Sequence, residues 1–299
     1  MDFTHLYIIG CGDIGSRVAR LALDNGISVS ALSRRMSKCA GLRDTATTFL
    51  HGELDDREAI PPLDLAGSAV LYSAPPPGGG IEDTRVRNFL AAIRSGSEPE
   101  KLVYLSATSV YGDCGNELVT EERPANPSNH TGKRRLDAEE RFRAWGREKG
   151  VAVVILRVAG IYGPGRIPMD RIAGRHPLLC EAEAGFTNRI HADDLATICL
   201  AAIDRGKDGD IFNVCDGETS TMTGYFNAIT DQLGLERLPQ VPLVEARRAM
   251  TPLMFGYMTE SRRIDNTKML TKLGVQLKYP TLTEGLKASL QESLPNRLK

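Results

Sequence analysis

The sequence lacks paired cysteines. Its six cysteines are scattered along the chain, and no C-x-x-C spacing occurs among them. Structural zinc sites and the disulfide frameworks of secreted domains both depend on closely spaced or paired cysteines. We therefore expect reduced thiols, no metal site and a cytoplasmic location.

Long apolar runs and blocks of one charge are also missing. No apolar stretch approaches the roughly 20 residues of a membrane-spanning helix, and the formal net charge of the 299 residues is -1. A nucleic-acid surface needs an excess of clustered Lys and Arg. We expect neither a membrane nor a nucleic-acid partner, and the composition instead fits a soluble globular protein, either an enzyme or a binding protein.

A glycine-rich turn stands between a predicted strand and a predicted helix near the N-terminus. Residues 6–9 form a short apolar run typical of a buried parallel strand, and residues 10–15 read Gly-Cys-Gly-Asp-Ile-Gly. Gly10 permits a tight turn, Gly12 leaves room for a diphosphate, and Gly15 allows close packing of helix on strand. The helix N-terminus offers free N–H groups to phosphates. The predicted cofactor contacts in this turn are Gly10, Gly12, Asp13, Ile14 and Gly15.

The residues at the end of the second predicted strand indicate which dinucleotide is bound. An NAD site usually has an acidic residue there, which binds the ribose hydroxyls. This chain has Ser33, Arg34 and Arg35 instead. Hydroxyl and guanidinium groups bind a 2′-phosphate, whereas a carboxylate repels it. The sequence favours NADP over NAD, although the same residues also suit a solvated basic loop.

Two further loops follow predicted strands. Glu53 and Leu54 come after the third strand, where a carboxylate can accept a hydrogen bond from an adenine amino group. Ser73, Ala74 and Pro75 follow the fourth strand and lead into a run of prolines and glycines. Because open parallel sheets bind ligands at this edge, we expect these residues to contact the cofactor. A flexible connector is the alternative for the proline–glycine run.

Strands and helices alternate along most of the chain. The predicted strands are 6–9, 27–32, 46–50, 70–74, 101–106, 151–157 and 210–214, and the predicted helices are 84–94, 133–149, 192–203 and 222–233. This alternation predicts an α/β fold with a Rossmann-type, doubly wound parallel sheet. We expect residues 1–165, completed by about 188–215, to form the NADP-binding domain. Residues 166–187 and 216–299 would form a small C-terminal substrate lobe.

Several longer motifs resemble one family. They are the glycine turn at 10–15, Tyr-Ser-Ala-Pro-Pro-Pro at 72–77, the Val-Tyr-Gly that ends 106–112, Leu-Arg-Val-Ala-Gly-Ile-Tyr-Gly-Pro-Gly-Arg at 156–166, Asn-Arg-Ile-His-Ala-Asp-Asp-Leu-Ala at 188–196, and Tyr-Pro at 279–280 before Glu-Gly-Leu at 284–286. The chain resembles the extended short-chain dehydrogenase/reductases of the NAD-dependent epimerase/dehydratase superfamily, and among them the atypical YeeZ-like subgroup. The resemblance implies a nicotinamide cofactor and a Ser/Thr–Tyr–Lys site. In that site tyrosine is the acid and base, and lysine lowers its pKa and holds the nicotinamide ribose.

The chain departs from the family at all three catalytic positions. Ala107 has the place of the hydroxyl residue, Thr131 that of the tyrosine and Arg135 that of the lysine. Arginine can still bind the ribose or a phosphate, but it stays protonated and cannot tune a neighbour as lysine does. A threonine hydroxyl is too weak an acid to replace a phenol. We therefore do not expect tyrosine-driven ketone reduction.

Other side chains are candidates for the missing chemistry. Thr108 and Ser109 adjoin the lost hydroxyl and could bind substrate. The unperturbed pKa of His191 suits proton transfer at neutral pH, although a role as a helix cap suits it as well.

Two functions remain open. The first is an NADP-dependent oxidoreductase or epimerase/dehydratase-like enzyme with a small polar substrate, which family precedent suggests is a nucleotide sugar. The second is an inactive protein that senses NADP(H) and regulates a partner. The chain is a monomer or a homodimer, and a dimer would use the helices 84–94 and 133–149. Ala138, Phe142 and Trp145 could form that seam, although burial against the sheet explains them equally well.

Overall fold

The computed structural model describes residues 3–34, 39, 41–42 and 44–293, without the side chains of 252–253 and 292–293. Its strands are β1 (His5–Ile9), β2 (Ser28–Ser33), β3 (Thr47–His51), β4 (Ala69–Tyr72), β5 (Lys101–Ala107), β6 (Leu118–Val119), β7 (Ala152–Val158), β8 (Gly160–Tyr162), β9 (Leu178–Leu179), β10 (Phe186–His191), β11 (Ile211–Val214), β12 (Thr219–Thr221), β13 (Gln240–Val241) and β14 (Arg263–Ile264). Its helices are α1 (Asp13–Asp24), α2 (Thr84–Ala92), α3 (His130–Lys149), α4 (Met169–Ala173), α5 (Ala192–Arg205), α6 (Met222–Leu233), α7 (Leu243–Ala249), α8 (Pro252–Thr259), α9 (Thr267–Leu273) and α10 (Leu282–Ser293).

Seven strands form one parallel sheet in the order β11-β7-β5-β4-β1-β2-β3. Strands β2 and β3 follow one another on one side of β1, whereas β4 pairs with β1 on its other side. Ile9 and Tyr72 are paired at the carboxyl ends of these two neighbouring strands. The order of strands reverses here, which is where doubly wound sheets bind ligands. The predicted Rossmann-type fold is confirmed.

Helices cover both faces of the sheet. One face packs against α1 and α5, and the other packs against α2 and α3. Because both faces are covered, the central strands β4, β5 and β7 are buried along almost their whole length and are mostly apolar, which made them recognisable in the sequence. Ala138 and Phe142 of α3 are fully buried in this second layer, and Trp145 packs against it partly buried. Packing within the chain therefore accounts for the proposed dimer seam, and the oligomeric state stays a prediction.

The start of α3 differs from its prediction. The charged periodicity indicated a helix from residue 133, whereas the helix begins at His130. Asn129 caps it, because its Oδ1 accepts a hydrogen bond from the N–H of Gly132 at 2.8 Å. Asparagine is a favoured N-cap residue, so the sequence did contain the signal.

The smaller elements pack beside the carboxyl edge of the large sheet. Strands β12, β10 and β8 form a three-stranded sheet, and β9 pairs with β13. With α4, α6, α7, α8 and α10 they enclose a separate apolar cluster. Residues 166–185, where the sequence predicted neither a strand nor a helix, contain α4 and β9. The division into domains stays a prediction. Within the described ranges, no helix combines the length and apolar character that crossing a membrane requires.

Candidate cofactor site

A cleft of about 490 Å³ opens where the strand order reverses. It lies between the turn after β1, the ends of β2 and β4, and the start of β8. The lining residues that the sequence predicted are Gly10, Gly12, Asp13, Ile14, Gly15, Ser33, Arg34, Glu53, Leu54, Ser73, Ala74, Pro75 and Arg135. Arg35 lies outside the described residues. The structure thus brings the predicted cofactor contacts together, and their binding role stays a prediction.

The three glycines of the turn meet different surroundings. Gly10 has φ +92°, and a Cβ there would lie 2.6 Å from the backbone of Ala74. A Cβ on Gly15 would approach the carbonyl of Gly10 and Ile8 to 3.0 Å. A Cβ on Gly12 would meet no atom within 4 Å. Gly10 and Gly15 are therefore required by packing, whereas Gly12 faces open space at the start of α1. This is the geometry that lets a diphosphate approach a helix N-terminus.

Charged side chains connect the glycine turn to the loop after β8. Asp13 accepts hydrogen bonds from Arg17 and from Arg166, and Arg17 also pairs with Asp193. Burial raises the pKa of Asp13, but the hydrogen bond from Arg166 and the charge of Arg17 outweigh it, so the pKa is lowered. The carboxylate of Asp13 is thus neutralised by cations. This leaves the positive end of the α1 dipole available to an anion.

The end of β2 carries the basic group that the sequence predicted. Nη1 of Arg34 lies 3.3 Å from Oε2 of Glu53, and both side chains are partly exposed. Nearby, Arg85 donates two hydrogen bonds of 2.6 Å to Asp55 and another of 2.9 Å to the carbonyl of Pro75. Arg85 therefore anchors the proline–glycine run to the loop after β3 at this end of the cleft.

Arg135 lies at the opposite end of the cleft. Its Nη1 donates to the carbonyl of Leu105 at 2.5 Å and to the hydroxyl of Tyr104 at 3.3 Å. Burial raises the pKa of Tyr104 to about 12, although the charge of Arg135 lowers it in part. The tyrosine therefore keeps its proton at neutral pH. Arg135 is a fixed cation beside the carboxyl end of β5.

A buried ion pair supports this end of β5. Arg157 donates to both carboxylate oxygens of Glu139, the shorter distance being 2.7 Å. Ser106 donates to the same carboxylate at 2.5 Å. The guanidinium of Arg157 also stacks 4.7 Å from the ring centre of Tyr111, whose hydroxyl donates to Asn213 at 2.8 Å. Tyr111 is therefore part of a buried polar network.

The predicted catalytic residues do not meet in the cleft. Ala107 ends β5, and Thr108 and Ser109 lie in the short 3-10 turn that follows. The Ser109 hydroxyl is buried and has no hydrogen-bond partner among the described residues. Thr131 accepts a hydrogen bond from Arg134 at 3.2 Å. The cleft-lining set contains none of these four. The catalytic assignments of Thr108 and Ser109 stay predictions. The turn that holds them packs against the start of α3, where the carbonyl of Ser109 lies next to Gly132.

His191 lies in the core beside the cleft. Its Nδ1 accepts from the N–H of Asp193 at 3.2 Å, which caps α5, and its Nε2 lies 3.2 Å from Oγ of Ser289. Its ring packs 4.1 Å from the ring of Tyr279. Burial lowers the pKa of His191 to about 4. The imidazole is neutral at physiological pH and both ring nitrogens are engaged, which fits the capping role. Its catalytic role stays a prediction.

The sequence did not predict several of the residues that line the cleft. They are Cys11, Leu32, Gly52, Arg85, Leu105, Ser106, Val158, Ile161 and Arg166. Arg166 could have been predicted as a lining residue, because it ends the sequence motif at 156–166. Arg85 had none, since its contact with Asp55 crosses thirty residues of sequence and depends on how α2 packs.

Comparison with known proteins agrees with this architecture. Residues 84–215, somewhat less than half of the chain, match the model of the NAD dependent epimerase/dehydratase family. Protein YeeZ of Escherichia coli (strain K12) is 28% identical over 184 residues, 60% of this chain. That match spans 59% of YeeZ, less than two thirds of its length.

A second relative and a solved structure extend the match. The dTDP-glucose 4,6-dehydratase of Mycobacterium tuberculosis (strain CDC 1551 / Oshkosh) is 28% identical over 244 residues, 72% of this chain and 73% of that one. DesIV, a dTDP-glucose 4,6-dehydratase from Streptomyces venezuelae, was solved with NAD bound and shares the fold of this chain. The two structures superpose with a TM-score of 0.82 over 98% of both chains, and their sequences are 20% identical. These matches confirm the resemblance that the motifs indicated: residues 84–215 match the model of the NAD dependent epimerase/dehydratase family, and the chain is similar to YeeZ.

Proposed function

We propose that the protein binds NADP in the cleft and acts as an NADP-dependent oxidoreductase or epimerase/dehydratase-like enzyme on a small polar substrate. The observation that carries the proposal is the convergence of three features in one cleft. They are the open backbone at Gly12, the basic end of β2 at Arg34, and the fixed cation Arg135. Bound there, the nicotinamide ring would supply a hydride donor or acceptor.

The described residues fit a dinucleotide phosphate. The space at Gly12 and the N–H groups of α1 suit the diphosphate. Arg34 suits a 2′-phosphate, because its partner Glu53 is partly exposed and water weakens their attraction. With NAD the same Glu53 carboxylate could accept from the ribose hydroxyls, so the balance between these two side chains sets the preference. In this proposal residues 1–165 with 188–215 hold the cofactor, and 166–187 with 216–299 face the substrate.

Arg135 would stabilise charge rather than move a proton. Its guanidinium is held by the carbonyl of Leu105 and stays protonated at neutral pH. A fixed cation at this place stabilises negative charge that develops on a substrate oxygen. The hydroxyl of Thr131 accepts from Arg134 and is too weak an acid for the tyrosine's role. Protons would therefore come from water or from the substrate itself.

The substrate class is suggested by the relatives. One relative is named a dTDP-glucose 4,6-dehydratase, whose substrate is a nucleotide sugar. The catalytic positions of this chain differ from the family pattern at Ala107, Thr131 and Arg135. We therefore propose a polar substrate of this general kind, with proton transfer arranged differently.

Turnover tests the proposal. The protein is titrated with NADPH and NADH by calorimetry, and then incubated with NADPH and a panel of aldehydes, ketones and nucleotide sugars. We expect tight binding of NADPH and substrate-dependent loss of the reduced-nicotinamide absorbance. This loss should disappear in Arg135→Met, which keeps the length of the side chain without its charge. Absence of binding by either dinucleotide would refute the proposal.

A sensor is the second candidate. It is favoured because Thr108, Ser109 and His191 are not among the residues that line the cleft, and because His191 caps α5. A protein that reports the state of NADP(H) needs the cofactor cleft but no proton-transfer groups. Tight, selective binding without turnover on the whole panel would support this function over the enzyme.

A further inference from the structure

Arg166 connects the loop after β8 to the glycine turn at the cofactor cleft. Its side chain lines the cleft and is 31% exposed. Its Nε donates to Oδ2 of Asp13, the first residue of α1, at 2.5 Å. The two residues are 153 positions apart in the sequence. A single cation thus joins two segments that border the cleft.

A tight turn fixes the position of Arg166. Its N–H donates to the carbonyl of Gly163 at 3.0 Å, which closes a four-residue turn. Pro164 and Gly165 form the middle of this turn, and Gly165 has φ +75°. Proline followed by a glycine with positive φ is typical of a type II turn. The local sequence therefore holds the backbone at the point from which the side chain of Arg166 enters the cleft.

Among the described residues, Arg166 uses one of its three guanidinium nitrogens. Nε donates to Asp13, whereas Nη1 and Nη2 have no hydrogen-bond partner within the part of the chain that the structure describes. The other arginines that line the cleft, Arg34, Arg85 and Arg135, each donate through at least one Nη. Since a guanidinium presents its N–H donors as a rigid fork, the outer side of the Arg166 fork is open to a ligand.

The surroundings of Asp13 favour an anion beside this fork. Arg17 donates to Oδ1 of Asp13 at 3.0 Å, so the carboxylate has a second cationic partner besides Arg166. Asp13 directly follows Gly12, whose open side suits the diphosphate. The outer nitrogens of Arg166 and the N–H groups at the start of α1 therefore border the same part of the cleft.

We propose that Nη1 and Nη2 of Arg166 bind the diphosphate of the cofactor together with the N–H groups of α1. This inference rests on the proposed function, because it assigns a further residue to the cofactor that this function requires. A guanidinium and a phosphate form bidentate, charge-assisted hydrogen bonds. Asp13 is a positioning residue in this arrangement, since it orients the guanidinium through Nε. The bound cofactor would also hold the start of segment 166–187 against the glycine turn.

Calorimetric titration of Arg166→Met with NADPH and NADH tests the inference. Methionine keeps the apolar bulk of the side chain without its charge. Both dinucleotides contain the diphosphate, so both affinities should fall at least tenfold and by the same factor. Arg166→Lys should retain part of the affinity, and Arg143→Met, on an exposed side chain of α3, should bind both dinucleotides as the wild type does. A loss confined to NADPH would place Arg166 at the 2′-phosphate and overturn the inference.

Asp13→Asn separates a direct contact from mere neutralisation of Asp13. Asparagine can still accept a hydrogen bond from Nε of Arg166 but carries no charge. We expect Arg166→Met to weaken NADPH binding at least tenfold in the Asp13→Asn background as well, because the diphosphate still loses its cation. Equal affinities of Asp13→Asn and Asp13→Asn/Arg166→Met would overturn the inference, as would normal NADPH binding by Arg166→Met alone. Failure of the wild type to bind either dinucleotide would instead refute the proposed function.

Discussion

The guanidinium of Arg34 and the carboxylate of Glu53 lie 3.3 Å apart, after the ends of β2 and β3. Their side chains are 52% and 30% exposed, so water weakens the pair. A 2′-phosphate carries more charge than the carboxylate and can compete for Arg34. In the proposed function the same two residues offer a partner to a phosphate and to ribose hydroxyls, and the relative strength of these contacts would decide between NADP and NAD.

Replacement of Arg34 should reverse the cofactor preference. We expect the wild type to bind NADPH at least tenfold more tightly than NADH, and Arg34→Glu to bind NADH more tightly, because two carboxylates repel the 2′-phosphate. Calorimetry measures both affinities. Arg143→Glu, on an exposed side chain of α3, is the matched control and should leave the ratio unchanged. Equal affinities in the wild type would contradict the prediction.

Two glycines of the same turn should respond differently to alanine. Gly12→Ala should leave the melting temperature within about one degree, since its Cβ meets nothing within 4 Å, but weaken NADPH binding at least tenfold. Gly10→Ala should lower the melting temperature by several degrees, because φ is +92° and the Cβ would collide with Ala74. Thermal scans and NADPH titrations distinguish the two. If Gly12→Ala binds NADPH normally, the diphosphate lies elsewhere.

Replacement of only one partner of the buried ion pair between Glu139 and Arg157 should strongly destabilise the fold. Glu139→Leu leaves Arg157 charged and buried, and should lower the free energy of unfolding by about 3–5 kcal/mol. The double variant Glu139→Leu/Arg157→Met removes both charges and should recover most of that loss. Urea denaturation of the wild type and of the two variants measures this. A double variant no more stable than Glu139→Leu would contradict the prediction, because removal of the unpaired charge would then recover nothing.

His191 should make stability depend on pH. Its pKa is lowered by burial to about 4, from 6.5 in an exposed histidine, so the unfolded chain binds a proton that the folded chain does not. Stability should therefore fall as the pH drops from about 6.5 towards 4, by at most about 1.4 kcal/mol per unit.

His191→Asn retains a capping side chain and cannot titrate, so it should flatten this slope. His176→Asn, on an exposed histidine, serves as the control. Urea denaturation at a series of pH values gives the slopes. A slope that persists in His191→Asn would assign the effect to other groups.

The sequence by itself determined the fold and most of the cofactor cleft. Apolar runs marked the strands because both faces of the sheet are covered, and the glycine turn marked the edge where the cleft opens. These signals are local: the chemistry of Gly10, Gly12 and Arg34 depends mainly on the strand that each follows. Parallel strands then bring such turns to one edge, so the sequence predicted that they would meet.

The tertiary structure decided which polar side chains reach the cleft and what they contact. Neither the anchoring of Arg85 on Asp55 nor the contact of Arg166 with Asp13 follows from spacing along the chain. The burial of His191 and the contact of its Nε2 with Ser289 also depend on how β10 and α10 pack together. The physical reason is that burial and the partners of a side chain come from segments distant in sequence, and these contacts fix its charge and hydrogen bonds.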